Sequence, residues 1–231
     1  MCGIVGYVGP QDATPIILNG LKKLEYRGYD SAGLAVLRDG ALEIRKDAGK
    51  LSQLVELIQR SPIEGAPGVG HTRWATHGAP SARNAHPHVG QTGRVVVVHN
   101  GIVENFLELK DELTAEGVRF QSETDTESIV HLVEHHLSAG CDFVKAARRT
   151  LQHIRGANVV VLISADEPDK IITARIGNAG GVVLGLGEGE NFIASDTPAR
   201  WPRERCFTRS SGETPKNLRD RKSTRLNSSH T

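Results

Sequence analysis

Four successive valines, Val95 to Val98, constrain this fold most. A β-branched run with no alternating polar face predicts a strand buried on both sides. Such a strand needs cover above and below. Further strands are predicted at Gly3 to Val8, Gly68 to Thr72, Val159 to Ile163, Ile171 to Ala174 and Val182 to Leu186. Gly33 to Leu37 and Leu42 to Arg45, separated by Arg-Asp-Gly, read as a hairpin. Apolar residues at helical spacing mark Thr14 to Leu24, Leu51 to Ile58, Glu104 to Glu116, a helix opening at Thr126, and Phe143 to Ile154. Strands come early, in the middle and late, without the regular strand–helix alternation of a doubly wound sheet. The pattern predicts an α+β fold in which packed sheets carry covering helices.

The chain has 231 residues, enough for one large domain or a domain plus a fragment. A net charge of +1 argues against nucleic acid as a partner. Cysteines at 2, 141 and 206 lack metal or disulfide spacing, which suits a reducing cytoplasm. No apolar run approaches the ~20 residues of a membrane span, and the start lacks a basic-then-apolar signal. A cytoplasmic protein without a membrane partner is expected.

From about Arg200 the apolar periodicity stops. Asp220 to His230 matches the translation of a common sequencing-adapter DNA. Residues 200–231 are therefore expected to be a frameshifted, adapter-derived and disordered tail behind a domain spanning 2–199.

Cys2 follows the initiator Met1. Alone, a cysteine there reads as a small buried residue. If Met1 is removed, however, the α-amine of Cys2 (pKa about 7.7–8.0) lies beside its own thiol and can take the thiol proton. The segments around it favour that second reading. Cys2-Gly3-Ile4-Val5-Gly6 resembles the opening of the class II glutamine amidotransferases, an N-terminal-nucleophile hydrolase family. Leu24 to Gly33 (LEYRGYDSAG) and Gly70 to Gly78 (GHTRWATHG) resemble its sugar-phosphate aminotransferase branch. So do Asn84 to His88, Val98 to Asn105, Ser122 to Glu127 and Gly189 to Asp196, in family order.

The resemblance implies a four-layer αββα sandwich and hydrolysis of L-glutamine to glutamate and ammonia through a γ-glutamyl thioester. It implies no cofactor and no metal. His86-Pro87-His88 belongs to a motif without metal, and the adjacent His135 and His136 face different ways on a helix. The ammonia would pass to a sugar-isomerase half, absent here, that makes glucosamine 6-phosphate from fructose 6-phosphate in a homodimeric full-length enzyme. Two alternatives are a phosphoribosyl-type amidotransferase and a non-catalytic binding domain of the same fold.

A glutamine site needs a fork for the α-carboxylate, an anion for the α-ammonium and donors for the oxyanion. The resemblance gives these roles to Arg73, to Asp125, and to the Asn100 side chain with the Gly101 N–H. Asp125 also stands where a helix N-cap belongs, and Asn100-Gly101 could be a hairpin turn. Trp74, Thr76 and His77 lie on a loop expected to close over glutamine, His86 lines the site, and Arg27 supports the nucleophile. Neither His77 nor His86 is expected to be the general base. Gly177 to Val182 is more glycine-rich than the family's turn, so an altered loop beside an intact site is expected.

Overall fold

The computed structural model describes residues 2–74, 78–197 and 199, and the backbone of Phe207–Arg209. Among these, strands β1 (Gly3–Val8), β2 (Ser31–Arg38), β3 (Ala41–Ala48), β4 (Gly68–Arg73), β9 (Val183–Leu186), β10 (Asn191–Ala194) and β11 (Phe207–Arg209) form one antiparallel sheet, in the order β11-β9-β10-β1-β4-β2-β3. Strands β5 (His88–Val89), β6 (Val95–Gly101), β7 (Asn158–Ser164) and β8 (Ile171–Ile176) form a second, in sequential order. Helices α1 (Ala13–Leu24) and α2 (Leu51–Arg60) cover the first sheet. Helices α3 (Phe106–Ala115), α4 (Thr126–Ser138) and α5 (Phe143–His153) cover the second.

The valine run explains why both faces are sealed. Val95 and Val97 pack with Ile129 and Val133 of α4, while Val96 and Val98 meet Ile4, Val69 and Ile193 of the opposite sheet. Each fully buried aliphatic side chain is worth about 1.5–3 kcal/mol. The expected αββα sandwich is thus the observed one, with apolar layers below, between and above the sheets.

Side chains alternate along a strand, so the between-sheet layer extends predictably. In β6 it runs from Val96 and Val98 to Asn100, and in β4 from Val69 to His71 and Arg73. In β1 it runs from Ile4 back to Cys2. Strand β1 pairs with β4 in the register Gly3↔Thr72 and Ile4↔His71, which sets Cys2 across from Arg73. All three strand ends meet at one edge of the sandwich.

The boundaries shift where tertiary bonds claim backbone groups. The helix expected from Glu104 begins at Phe106. Before it, Val103 N donates to Asp125 Oδ2 (2.7 Å) and Glu104 N to Arg155 O (3.1 Å). The expectation of a disordered tail does not hold at Phe207–Arg209, which pairs with Leu184 to Leu186 of β9. An open sheet edge offers unpaired N–H and C=O groups that an extended segment can take up. The rest of 200–231, including Cys206, lies outside the described residues, as do Thr76 and His77.

The segment that carries His86 is held from β3. Lys46 Nζ donates to Ala85 O (2.8 Å), Pro87 O (3.1 Å) and Arg83 O (3.4 Å). Burial pushes the Lys46 ammonium down to about 8, partly offset by Glu127. Lys46→Met would leave the Ala85 and Pro87 carbonyls without this donor. A loss of about 2 kcal/mol is expected, with Tm lowered by about 4–8 °C. A thermal melt that matches the parent would show that these bonds do not hold the segment.

Candidate active site

Where the strand ends meet, a cleft of about 460 Å³ opens, a volume in the range of small-molecule sites. Cys2, Arg27, Arg73, Trp74, His86, Asn100, Gly101 and Asp125 all line it. Every site residue expected from the sequence that falls among the described residues is therefore in one place.

Cys2 is anchored through its main chain and its sulfur. Its carbonyl oxygen accepts from Asn100 Nδ2 (3.0 Å) and from Ser195 Oγ (3.5 Å). Its Sγ accepts from Trp74 N (3.1 Å). Burial raises the thiol pKa, and the Trp74 N–H only partly opposes it. The sulfur would not ionise unaided at neutral pH, so a proton acceptor must stand close to it.

Arg73 ends β4 and is 4% exposed. Its Nη2 donates to Gly78 O (3.0 Å), which ties the start and end of the 73–78 loop together. Asp125 is equally buried. It precedes α4, but its side chain makes no capping bond and its backbone is already helical. The capping reading of Asp125 is therefore set aside. Oδ2 instead accepts from Val103 N, which fixes the carboxylate against the segment after Gly101. Asn100-Gly101 ends a strand whose chain continues toward α3, so the hairpin reading also falls. Gly101 has φ of 142°, and a Cβ there would meet Ala157 O at 2.3 Å, so glycine is required.

Trp74 is half exposed and meets Tyr29 edge-on at 5.4 Å. Arg27 is buried and paired with Asp196, which also accepts from Tyr26 Oη (2.8 Å). Ala179 and Gly180 of the glycine-rich turn form part of the cleft wall.

Sequence reasoning named His86 but missed the polar residues it joins along the inner wall of the site. His71, His86, His99, Thr126 and Asn158 are all buried and hydrogen-bonded in series. Burial lowers each of these three imidazoles, His71 to about 3, so they are neutral at pH 7. That leaves no imidazolium in this layer to act as an acid. One signal was available: His71 and His99 directly follow the apolar or small stretches Gly68 to Gly70 and Val95 to Val98 of buried strands, and a buried polar group needs partners. Ser195 carried no such signal.

A thiol, a guanidinium, a carboxylate and an amide donor on one small cleft suit acyl transfer from a zwitterionic amino-acid carboxamide. Known proteins agree with that chemistry. A model of the glutamine amidotransferase domain matches residues 71–183. A glutamine–fructose-6-phosphate aminotransferase (isomerizing) of Thermus thermophilus is 54% identical over 202 residues, 87% of this chain and 33% of that protein. Its counterpart from Aquifex aeolicus is 50% identical, again over 87% of this chain and 33% of the relative. The chain thus spans about a third of the length of these relatives. Among solved structures, the glutamine phosphoribosylpyrophosphate amidotransferase of B. subtilis superposes with a TM-score of 0.72 at 27% identity, covering 86% of this chain and 42% of that one. A class-II glutamine aminotransferase domain protein from Silicibacter pomeroyi shares the fold, with a TM-score of 0.52 at 14% identity over 90% of this chain and 99% of that one.

Proposed function

Because the chain belongs to the class II glutamine amidotransferases, we propose that its cleft binds L-glutamine and that Cys2 hydrolyses it to glutamate and ammonia. The observation that carries this reading is the meeting of Cys2, Arg73, Asn100 and Asp125 at one sandwich edge. With Met1 removed, the α-amine of Cys2 takes the thiol proton and the sulfur attacks the carboxamide carbon. The oxyanion is met by Asn100 Nδ2–H and Gly101 N–H. The ammonium returns its proton to the departing nitrogen, which leaves as ammonia. Water, deprotonated by the same amine, then cleaves the thioester to glutamate and the free thiol. Arg73 binds the α-carboxylate, the Asp125 carboxylate binds the α-ammonium, and Arg27 holds the wall. Trp74 is assigned to the covering loop, whose Thr76 and His77 lie outside the described residues, and His86 lines the cleft.

Ala199 packs in the core of the first sheet with α1 and α2, which supports a domain that reaches that residue. We assign 2–199 to the glutaminase and 200–231 to a non-family tail. In the full-length protein the ammonia feeds a sugar-isomerase half that converts fructose 6-phosphate to glucosamine 6-phosphate in the cytoplasm, within a homodimer. Identities of 50–54% to sugar-phosphate aminotransferases against 27% to the phosphoribosyl enzyme favour this acceptor, whereas the shared fold does not discriminate. Glutamate and ammonia release from glutamine by the chain tests the reaction. Supplying the full-length protein with fructose 6-phosphate or phosphoribosylpyrophosphate tests the acceptor, and an aminated product from the latter alone would overturn the sugar assignment.

Arg73→Lys keeps the charge and loses the two-pronged fork. Glutamine binding is expected to weaken by about 1.5–3 kcal/mol, read as Kd by calorimetry. An unchanged Kd would remove Arg73 from the carboxylate site.

A further inference from the structure

Along the inner wall of the cleft, the hydrogen bonds admit a single arrangement of protons. Asn158 Nδ2 donates to Arg155 O (3.2 Å), so its Oδ1 is the acceptor facing His99 Nε2 at 2.8 Å. His99 therefore carries its proton on Nε2, and as a neutral ring it accepts at Nδ1. The donor there is Thr126 Oγ1, at 2.9 Å. That hydroxyl has no second proton, so His86 Nε2, 3.0 Å away, must donate to it. His86 then accepts at Nδ1, from His71 Nε2 at 3.1 Å.

The other end of the series gives the same answer independently. His71 Nε2 lies 3.1 Å from His99 O, a group that can only accept. It must carry a proton. The His71 Nδ1 atom is buried and has no hydrogen-bond partner among the described residues, so a proton there, as in an imidazolium, would be unsatisfied.

His71 Nε2 also lies 3.0 Å from the side-chain oxygen of Asn100, so its one N–H is shared among three acceptors, Asn100 Oδ1, His99 O and His86 Nδ1. We propose that His71 is a positioning residue: its fixed Nε2–H holds Oδ1 of Asn100 and thereby aims the Asn100 amide N–H₂ at the nucleophile's side of the cleft. The flipped amide would fail twice. Its nitrogen would oppose the His71 N–H, and its oxygen would face the Cys2 carbonyl, which now accepts from Nδ2 at 3.0 Å. A flipped Asn100 would also present a lone pair to the developing oxyanion. The buried series ending at Asn158 thus sets the polarity of the proposed oxyanion hole through His71, which is not among the residues lining the cleft. This rests on the reading of Asn100 as an oxyanion donor.

Two measurements test it, the first independent of any reaction. Long-range ¹H–¹⁵N spectra of the wild-type protein at pH 7 report which imidazole nitrogens carry protons. Neutral Nε2–H rings are expected for His71, His86 and His99. An Nδ1–H ring or an imidazolium at His71 would overturn the proposal even if the protein is an active glutaminase. In the second, His71→Phe removes the donor and His71→Gln restores an N–H at a similar reach. His71→Phe should lower kcat for glutamate release by about 10–100-fold with KM little changed, as for a lost positioning contact. His71→Gln should recover most of it at a comparable melting temperature. Equal kcat for Phe and Gln, or a loss seen in KM alone, would reduce His71 to a packing residue. A wild-type protein that releases no glutamate would sink the glutaminase reading and leave the tautomer result standing.

Discussion

Cys2→Ala is expected to bring glutamate release down to background while glutamine still binds. The argument starts from the energetics of the sulfur. Burial opposes its ionisation, and its bond from Trp74 N at 3.1 Å only partly offsets this. A thiol of raised pKa needs a base, and the buried imidazoles near the cleft are neutral and engaged with one another. The α-amine that processing would expose on Cys2 is the group with a suitable pKa, about 7.7–8.0. A form that retains Met1 keeps the thiol and loses the amine to a peptide bond. Its activity should fall by about 10²–10⁴-fold, the usual worth of a general base. Intact mass of the purified protein, read beside its turnover, decides the point. Full activity in protein that still carries Met1 would remove the amine from the mechanism. Cys2→Ser should be nearly as inactive, because the hydroxyl ionises far less readily than the thiol. Calorimetry with the Cys2→Ala protein should give a glutamine Kd close to the parent, since Arg73 and Asp125 bind the other end of the ligand.

Much of this site was legible in the sequence because strand parity is rigid. Val95 to Val98 fixed a doubly buried strand, and its parity places Asn100 between the sheets. The same holds for Ile4 and Cys2, and for Val69 and Arg73. Family resemblance, rather than pattern, supplied the roles. The features that stayed illegible depend on long-range partners. Asp125 could be read as a ligand carboxylate or as a helix cap, because the two share a chemistry, and its helical backbone, its missing capping bond and the Val103 N–H, 22 positions away, decide against the cap. His71 and His99 gave no local hint that they serve one another through Thr126 and His86, which come from different elements. The strand at Phe207–Arg209 was missed because edge pairing needs little from side chains.

Asn100→Ala should lower kcat by about 10²–10³-fold with little change in the Kd for glutamine, the pattern of a lost oxyanion donor. The Asn100 amide has two N–H groups. One donates to the Cys2 carbonyl at 3.0 Å, which leaves the second for the oxygen that becomes negative as the thiolate adds. In the ground state that oxygen belongs to a neutral carboxamide, so the bond is worth little to binding and much to the transition state. Alanine also removes one of two contacts to the Cys2 carbonyl, leaving Ser195 Oγ at 3.5 Å. Asn100→Asp separates these effects. It keeps the shape and the acceptor that faces His71, but it places a carboxylate oxygen where the donor stood, beside both the Cys2 carbonyl and the developing negative charge. Its kcat should fall at least as far as that of the alanine variant, with the melting temperature and glutamine Kd measured alongside. A variant that binds glutamine poorly yet turns over normally at saturation would place Asn100 among the binding contacts and out of the oxyanion hole.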